Sequence, residues 1–245
     1  MQEKIEKWIW NALAFIIAII AMALLPAAAL AAPSGPQIIF NSTDYGPSGS
    51  NTLINTSGGT ISTINLYGLT QNPHWKAYVG NVSGKLALQD SSNYSIYDWT
   101  VTTVSGEAYA SRFNTISWTK IACANATNIS AEETALNITA SSDDSISKTF
   151  SSKTHRSFYV GNVLIANSTC FSTATFVNNA SQAMNESMKF QEVLLTDTSS
   201  LVYVSLLENK SSGYNTQKFD FQMIVPDYGI QQGSNVPYYL YLELI

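Results

Sequence analysis

Apolar and polar residues alternate along much of the chain, and this period of two constrains the fold more than any other feature of the sequence. Tyr97, Trp99 and Val101 alternate with polar residues, and the same pattern ends the chain from Tyr238 to Leu244. Side chains of a strand point in turn to opposite faces of a sheet, so the alternation predicts strands with one buried face. We therefore predict an all-β fold, an antiparallel β-sandwich-like domain with one or two short helices.

Other segments rich in β-branched and aromatic residues support the same interpretation. They predict strands over Ile61–Leu66, Trp75–Val82, Lys85–Gln89, Glu107–Phe113, Phe158–Ala166, Ala174–Val177, Phe190–Thr196, Leu201–Leu207 and Phe219–Val225. Helix signals are few. Ser130 and Glu133 have the spacing of a capping box, which predicts a helix through Leu136, and a second helix is predicted over residues 180–188.

The N-terminal segment has a different character. No charged residue occurs over residues 8–32, Pro26 interrupts the apolar run, and Ala29–Ala31 supplies the small residues of a signal-peptidase site. This pattern predicts a signal peptide over residues 1–31. An uncleaved N-terminal membrane-anchor helix is the alternative, because about 20 apolar residues span a bilayer.

Either interpretation places the rest of the chain outside the cytoplasm, in the extracellular space or at the cell surface. We expect an extended N-terminal segment over residues 32–59, followed by a β-rich extracellular domain over residues 60–245. Contact with a membrane is expected only through the N-terminal segment.

The placement of asparagine points to glycosylation. Eleven of the twenty asparagines begin an N-x-[ST] acceptor, and Ser and Thr make up 53 of the 245 residues. At that frequency about four acceptors are expected by chance, so the excess favours modification during export. The candidate sites are Asn41, Asn55, Asn81, Asn93, Asn125, Asn128, Asn137, Asn167, Asn179, Asn185 and Asn209.

Cys123 and Cys170 are the only cysteines in the chain. In an exported protein two cysteines most often form one disulfide, so we predict that this pair is bonded. A metal-binding or nucleophilic role is the alternative, but no histidine lies near either residue in the sequence to support it.

One nine-residue pattern occurs twice, with an offset of 81 residues. His74–Val82 and His155–Val163 share H-x3-Y-V-G-N-V, which indicates a duplicated half-domain or two equivalent strands placed side by side. The glycine in each copy predicts a bulge or a close backbone approach. His74 and His155 are only weak metal candidates, because two histidines without a fixed carboxylate underfill a zinc site. We expect each to cap a strand and to hydrogen-bond locally, and we predict no metal and no cofactor.

Charge and motif content disfavour several classes of function. Twelve basic and seventeen acidic residues give a net charge of −5, so no nucleic-acid partner is expected. No catalytic motif is found, so no catalytic residue is assigned and an exported hydrolase is the least favoured function. The pairs Glu132–Glu133 and Asp143–Asp144 could ligate Ca²⁺, but solvated loop charges are the better interpretation. Trp75, Trp99 and Trp118 are candidate ligand-facing aromatics that could stack on sugars.

In its organisation the whole chain resembles Sec-exported, glycan-rich archaeal cell-surface and filament proteins. The resemblance rests on the export segment, the acceptor sites, the low charge and strings such as WKAYVGNVSG, YDW, GEAYA, FQEVLL and DFQMIVP. It implies no enzymatic activity. Some filament subunits of this kind join by inserting an N-terminal strand into the sheet of the next subunit, and Gln37–Phe40 has the sequence of such a donor strand.

These observations predict a non-enzymatic extracellular structural or cell-surface protein, with self-assembly as a filament or surface-layer-associated subunit as its expected mode of action. We expect its partners to be further copies of itself, or other cell-surface proteins and glycans. A carbohydrate- or ligand-binding surface module is the alternative.

Overall fold

A computed structural model describes residues 32–40, 42–47, 50, 53–54, 57–228 and 236–245. The predicted signal or anchor segment lies outside these residues. Within them the protein consists mainly of antiparallel strands and contains two short α-helices, which confirms the prediction of a mostly β, antiparallel fold. Neither of these helices has the length and apolar character needed to cross a bilayer.

Strands and helices are labelled in chain order. The strands are β1 (Trp75–Gly80), β2 (Lys85–Gln89), β3 (Ser95–Thr100), β4 (Gly106–Ser111), β5 (Ala122–Cys123), β6 (Phe158–Val160), β7 (Val163–Ile165), β8 (Ser172–Ala174), β9 (Gln191–Thr196), β10 (Leu201–Leu206), β11 (Ser211–Ser212), β12 (Lys218–Phe219), β13 (Phe221–Pro226) and β14 (Tyr239–Leu244). The helices are α1 (Ala126–Ala135) and α2 (Ile146–Thr149), and a 3₁₀ helix covers Trp118–Lys120.

The largest sheet has six strands and is organised around β9 and β10. Its strand order is β14–β4–β10–β9–β5, and β8 pairs with β9 on the same side as β5. Every residue of β9 and β10 is buried. The two strands are joined by a tight turn in which the carboxylate of Asp197 accepts hydrogen bonds from the backbone N–H groups of Ser199 and Ser200. Further two-stranded sheets are β1–β13, β2–β3, β6–β7 and β11–β12.

Both faces of β10 carry a hydrophobic core. Val202 and Val204 pack on one face with residues of the β6–β7 hairpin and with Cys170. Leu201 and Tyr203 pack on the other face with residues of β13, α1 and α2. A strand that is buried on both faces has a nearly continuous run of apolar residues. This explains why apolar and polar residues do not alternate in β10.

The predicted disulfide is present. Cys123 of β5 is bonded to Cys170, which lies just before β8. Since β5 and β8 occupy consecutive stretches of the same side of β9, the bond ties together the two short strands that complete this edge of the sheet.

Four of the strand predictions need correction. Residues Phe158–Ala166 form the β6–β7 hairpin rather than one strand, and β8 covers Ser172–Ala174 rather than Ala174–Val177. No strand forms over Ile61–Leu66, because no other described segment pairs with it, and Ile61 is fully exposed. β3 forms close to its predicted place but is not half-buried, since Tyr97 is 60% and Trp99 49% exposed. The alternating sequence therefore predicted the strand correctly but did not predict that its apolar face is exposed.

Both helix predictions also need correction. α1 begins before its predicted start, because Asn125 and Asn128 form a reciprocal capping box in which each side-chain oxygen accepts the backbone N–H of the other residue. Residues 180–188 form no helix. There Gln182 donates to the carbonyl of Thr175 and Asn185 accepts the N–H of Ser187, and such side-chain bonds to the backbone compete with helical ones.

The two copies of H-x3-Y-V-G-N-V adopt different structures and do not lie side by side. The first copy contains β1, which pairs with β13, whereas the second forms the β6–β7 hairpin. A Cβ atom at Gly80 would lie 3.1 Å from the ring of Phe221, which is the close approach expected of this glycine. Gly161 instead occupies the hairpin turn with a φ of +54°, where a residue with a side chain is strained.

We expect removal of the disulfide by Cys123→Ser with Cys170→Ser to lower the free energy of unfolding by about 4 kcal/mol, because the bond closes a loop with a sequence separation of 47. Urea unfolding of the oxidised protein and of the double variant measures the difference. The wild-type protein with its disulfide reduced is the control for side-chain packing, because it lacks the bond but keeps both cysteines. Equal midpoints for the double variant and the oxidised protein would contradict the expectation.

Candidate functional site

Ser34 is the residue at which the N-terminal part of the chain joins the main sheet. Its N–H donates to the carbonyl of Leu242 at 3.2 Å, and its own carbonyl accepts the N–H of Leu242 at 2.9 Å. Leu242 belongs to the edge strand β14, so the N-terminal segment starts as an antiparallel extension of the sheet. In this register Pro36 would face Leu240, and because proline has no N–H the extension stops after one bridge.

Residues 35–72 follow this bridge in the sequence and are named the N-terminal arm here. None of the described residues of the arm belongs to a helix or strand. Exposed large apolar side chains occur along its length: Ile38, Ile39, Phe40, Tyr45, Leu53, Ile54, Ile61, Ile64, Leu66, Tyr67 and Leu69. Many large apolar side chains exposed along one segment make that segment a candidate for binding a partner.

The outer edge of β14 is the second feature of this region. β14 pairs with β4 on its inner side, and on its outer side Ser34 is the one partner among the described residues. Backbone groups of alternate residues point to the same side of a strand, so those of Leu240 and Leu244 point outward together with those of Leu242. An edge with unpaired backbone groups can accept an added strand.

The β2–β3 hairpin is the third feature. Its register places Leu86 opposite Trp99 and Leu88 opposite Tyr97, so these four side chains share one face, named the apolar hairpin face here. All four are between 44% and 60% exposed. The opposite face is polar and carries an ion pair between Lys85 and Asp98 at 2.8 Å.

The structure places the three candidate tryptophans in three different environments. Trp75 is half-buried and donates its indole N–H to the carbonyl of Asp144 at 2.7 Å. Trp118 is held edge-on between the rings of Tyr109 and Tyr241, at 5.1 Å from each. Trp99 alone of the three is exposed, so these residues do not form a common ligand-binding surface.

Asp144 fixes the C-terminal end of the arm. Its carboxylate accepts hydrogen bonds from the side chains of Asn72 at 3.0 Å, His74 at 2.8 Å and Ser142. The hydrogen bond from Ser142, followed by that from His74, lowers the pKa of Asp144 to about 2. His74 therefore holds a loop against the start of β1.

His155 is buried and uses both of its ring nitrogens. Nε2 accepts the backbone N–H groups of Thr169 and Cys170, so Nδ1 carries the proton and donates to the carbonyl of Arg156 at 2.8 Å. Burial lowers the pKa of His155, which favours this neutral form. Among the residues that the structure describes, no three His, Cys, Asp or Glu side chains gather where a metal ion could bind.

The first of the two acidic pairs is structural rather than solvated, which corrects the sequence-based interpretation. Glu132 and Glu133 are buried. Glu132 forms a two-pronged ion pair with Arg112, with both N–O distances at 2.7 Å. Glu133 accepts the backbone N–H of Ser147 at the start of α2. These carboxylate contacts hold α1 against Arg112 and against the start of α2.

Nine of the eleven glycosylation candidates lie among the described residues, and Asn41 and Asn55 lie outside them. Eight of the nine are exposed, and Asn128 is half-buried. The backbone of Asn93, Asn137 and Asn179 has a positive φ, as is common for asparagine in turns. The eight exposed sites are thus accessible in the way that a glycan requires.

A buried acidic pair beneath β14 was not singled out from the sequence. Glu107 of β4 and Glu243 of β14 are directly opposite each other, and both are less than 10% exposed. Glu243 accepts hydrogen bonds from the hydroxyl of Tyr109 and the N–H of Gly161, whereas Oε2 of Glu107 has no partner. Burial and the charge of Glu243 raise the pKa of Glu107 to about 8, against the opposing effect of Arg156. Only the strand register brings the two residues together.

We expect the buried carboxyl of Glu107 to make stability fall as pH rises. Folding raises its pKa from 4.5 to about 8, so the folded state binds the proton more tightly in this window. The free energy of unfolding should fall by up to about 1.4 kcal/mol per pH unit between those values. Urea unfolding from pH 5 to pH 8 measures the slope, and Glu107→Gln should reduce it. Buried Glu192, whose pKa burial also raises, adds a slope of the same sign that this change leaves in place.

Asp98→Asn makes the same chemical change on the exposed hairpin and serves as the control for Glu107→Gln. Identical slopes in the wild-type protein and in Glu107→Gln would contradict a proton held on Glu107.

No family model matches the chain, and no curated protein or solved structure shows significant similarity to it. The resemblance to archaeal surface and filament proteins therefore stays a prediction. Function has to be inferred from the chain's own geometry.

Proposed function

We propose that this protein is an exported, glycosylated structural protein of the cell surface, a β-sandwich-like module that assembles with copies of itself through its N-terminal arm. The observation that carries the proposal is the arm. It leaves the sheet at Pro36, and its first apolar residues, Ile38, Ile39 and Phe40, are 63%, 78% and 73% exposed. Leaving such side chains in water costs about 2 kcal/mol each relative to burial, so a partner that covers them is strongly favoured.

In the proposed assembly, Gln37–Phe40 of one copy pairs with the outer edge of β14 in the next copy and displaces the bridge that this copy's own Ser34 makes to Leu242. Backbone hydrogen bonds would provide the affinity, and alternate side chains would provide the specificity. Each copy carries both a donor and an acceptor, and because they are different surfaces, the contact is head-to-tail and propagates as a filament or sheet.

Other features support export and glycosylation. The disulfide fits an oxidising compartment, since such bonds are rare in the cytosol. Eight of the nine described acceptor asparagines are exposed. Signal-peptide cleavage after residue 31, or retention of that segment as an anchor, would set whether the assembly is released or held at the membrane.

A carbohydrate-binding module is the second candidate function, and one observation favours it. Tyr97 and Trp99 are both exposed, and their ring centroids are 4.9 Å apart. Adjacent exposed aromatic rings suit stacking on sugar rings. Glycan-array binding that Trp99→Ala abolishes would favour this function over passive assembly.

We expect Ile38→Asp with Phe40→Asp to block assembly, because both changes put a charge where the donor strand would bury an apolar side chain. The dissociation constant of the copies should rise by at least about a hundredfold. Light scattering and negative-stain microscopy measure the assemblies. Gln37→Asp adds one charge to the same segment at a polar position and is the control for each of the two changes made singly.

All three side chains are exposed, so the monomer should unfold at an unchanged urea concentration. A wild-type protein that stays monomeric at every concentration would contradict the proposed function.

We expect the intact mass of the protein from its native source to show the loss of residues 1–31, two hydrogens fewer for the disulfide, and added sugar on several acceptor sites. Mass spectrometry before and after chemical deglycosylation and reduction separates the three contributions. A full-length chain without sugar and with two free thiols would contradict export.

A further inference from the structure

We infer that the apolar hairpin face, formed by Leu86, Leu88, Tyr97 and Trp99, is a docking surface for the arm residues 61–69 of a second copy of this chain. The inference rests on the proposed self-association and adds to it a second contact, separate from the Gln37–Phe40 donor strand.

No further strand or packed layer stabilises the β2–β3 hairpin among the described residues. β2 and β3 pair with each other and with no other described strand, and every residue of both strands is exposed. An isolated two-stranded sheet is at best marginally stable in water, and a further strand or layer is needed to stabilise it. The apolar hairpin face is therefore where a further element is missing.

Residues 61–69 of the arm also expose large apolar side chains to solvent. Their sequence has strand character, yet they form no strand, and Ile61, Leu66, Tyr67 and Leu69 are all more than 80% exposed. An extended segment of this length spans roughly 30 Å, which is enough to cross a hairpin whose strands are less than about 20 Å long.

Charge distribution is consistent with this pairing. Residues 57–72 contain no charged side chain. The apolar hairpin face is also uncharged, because Lys85 and Asp98 pair on the opposite face. Neither surface would bury an unpaired charge on contact, which would be costly.

Sugars on the glycosylation candidates would not block this contact. No acceptor site lies within residues 57–80, and the one site in the hairpin, Asn93, is in its turn. A sugar on Asn93 would occupy the tip of the hairpin and leave the strands clear. Such a sugar would also oppose insertion of the tip into a lipid surface.

A photo-cross-link tests the inference. The two native cysteines are bonded to each other, so Leu88→Cys provides a single thiol for benzophenone maleimide. This labelled protein is mixed with unmodified protein grown in ¹⁵N, allowed to assemble and irradiated. Mass spectrometry of the cross-linked peptides identifies the partner segment and shows from its isotope whether it belongs to the second copy.

We expect the adducts to join the labelled β2 strand of the light copy to the segment around residues 61–69 of the heavy copy. Ala87→Cys places the same probe on the opposite face of β2 and is the matched control, for which this adduct should be at least about tenfold weaker.

Adducts within a single chain would show that the arm folds back on its own hairpin, and heavy-chain adducts in the hairpin itself would show a hairpin-to-hairpin contact. Either result overturns the inference, as does assembly without adducts to residues 61–69, which leaves the proposed function standing. Absence of assembly in the wild-type protein overturns both.

Discussion

The antiparallel pairing of β9 with β10 is the interaction on which the rest of the structure depends. Both strands are buried along their whole length, and their side chains enter the two hydrophobic clusters on opposite faces of the sheet. β4 pairs with the free side of β10, and β5 and β8 pair with the free side of β9. Every other strand of the main sheet therefore takes its position from this central pair, directly or through one neighbour.

The central pair also fixes β14, the strand at the edge of the main sheet. Its inner side is bound to β4 and is held further by Glu243, which binds Tyr109 and the turn at Gly161. Its outer side is open beyond Ser34 among the described residues. A strand that is fixed on one side presents its outward backbone groups in a regular array, so an incoming strand loses little entropy through ordering of its acceptor.

Several features could be predicted from the sequence because they depend on local pattern. Five strands lie close to their predicted positions: β1, β2, β4, β10 and β13. The disulfide between Cys123 and Cys170 could be predicted because the chain has two cysteines and an expected export signal. α1 was predicted with the wrong start, because Ser130 and Glu133 have the spacing of a capping box, whereas Asn125 and Asn128 form the actual one. Local pattern thus located the elements more reliably than their ends.

Features that depend on tertiary neighbours could not be predicted in this way. Trp75 and Trp99 lie in similar alternating segments, yet one contacts the core and the other is exposed, because β1 pairs with β13 whereas β3 pairs only with β2 among the described strands. Glu107 and Glu243 are 136 positions apart in the sequence and meet only through the β4–β14 register. Likewise, strand character over Ile61–Leu66 does not reveal that no described segment of the chain pairs with it.

The capping box of α1 bears on whether its two asparagines can also carry the proposed sugar. Asn125 and Asn128 hold the helix end through their side-chain oxygens, whereas an oligosaccharyltransferase attaches sugar to the amide nitrogen. The atoms that build the helix terminus and the atoms that would carry saccharide are therefore different, so both asparagines could be conjugated without breaking the cap. A saccharide there would be anchored to a rigid base and would project in a defined direction.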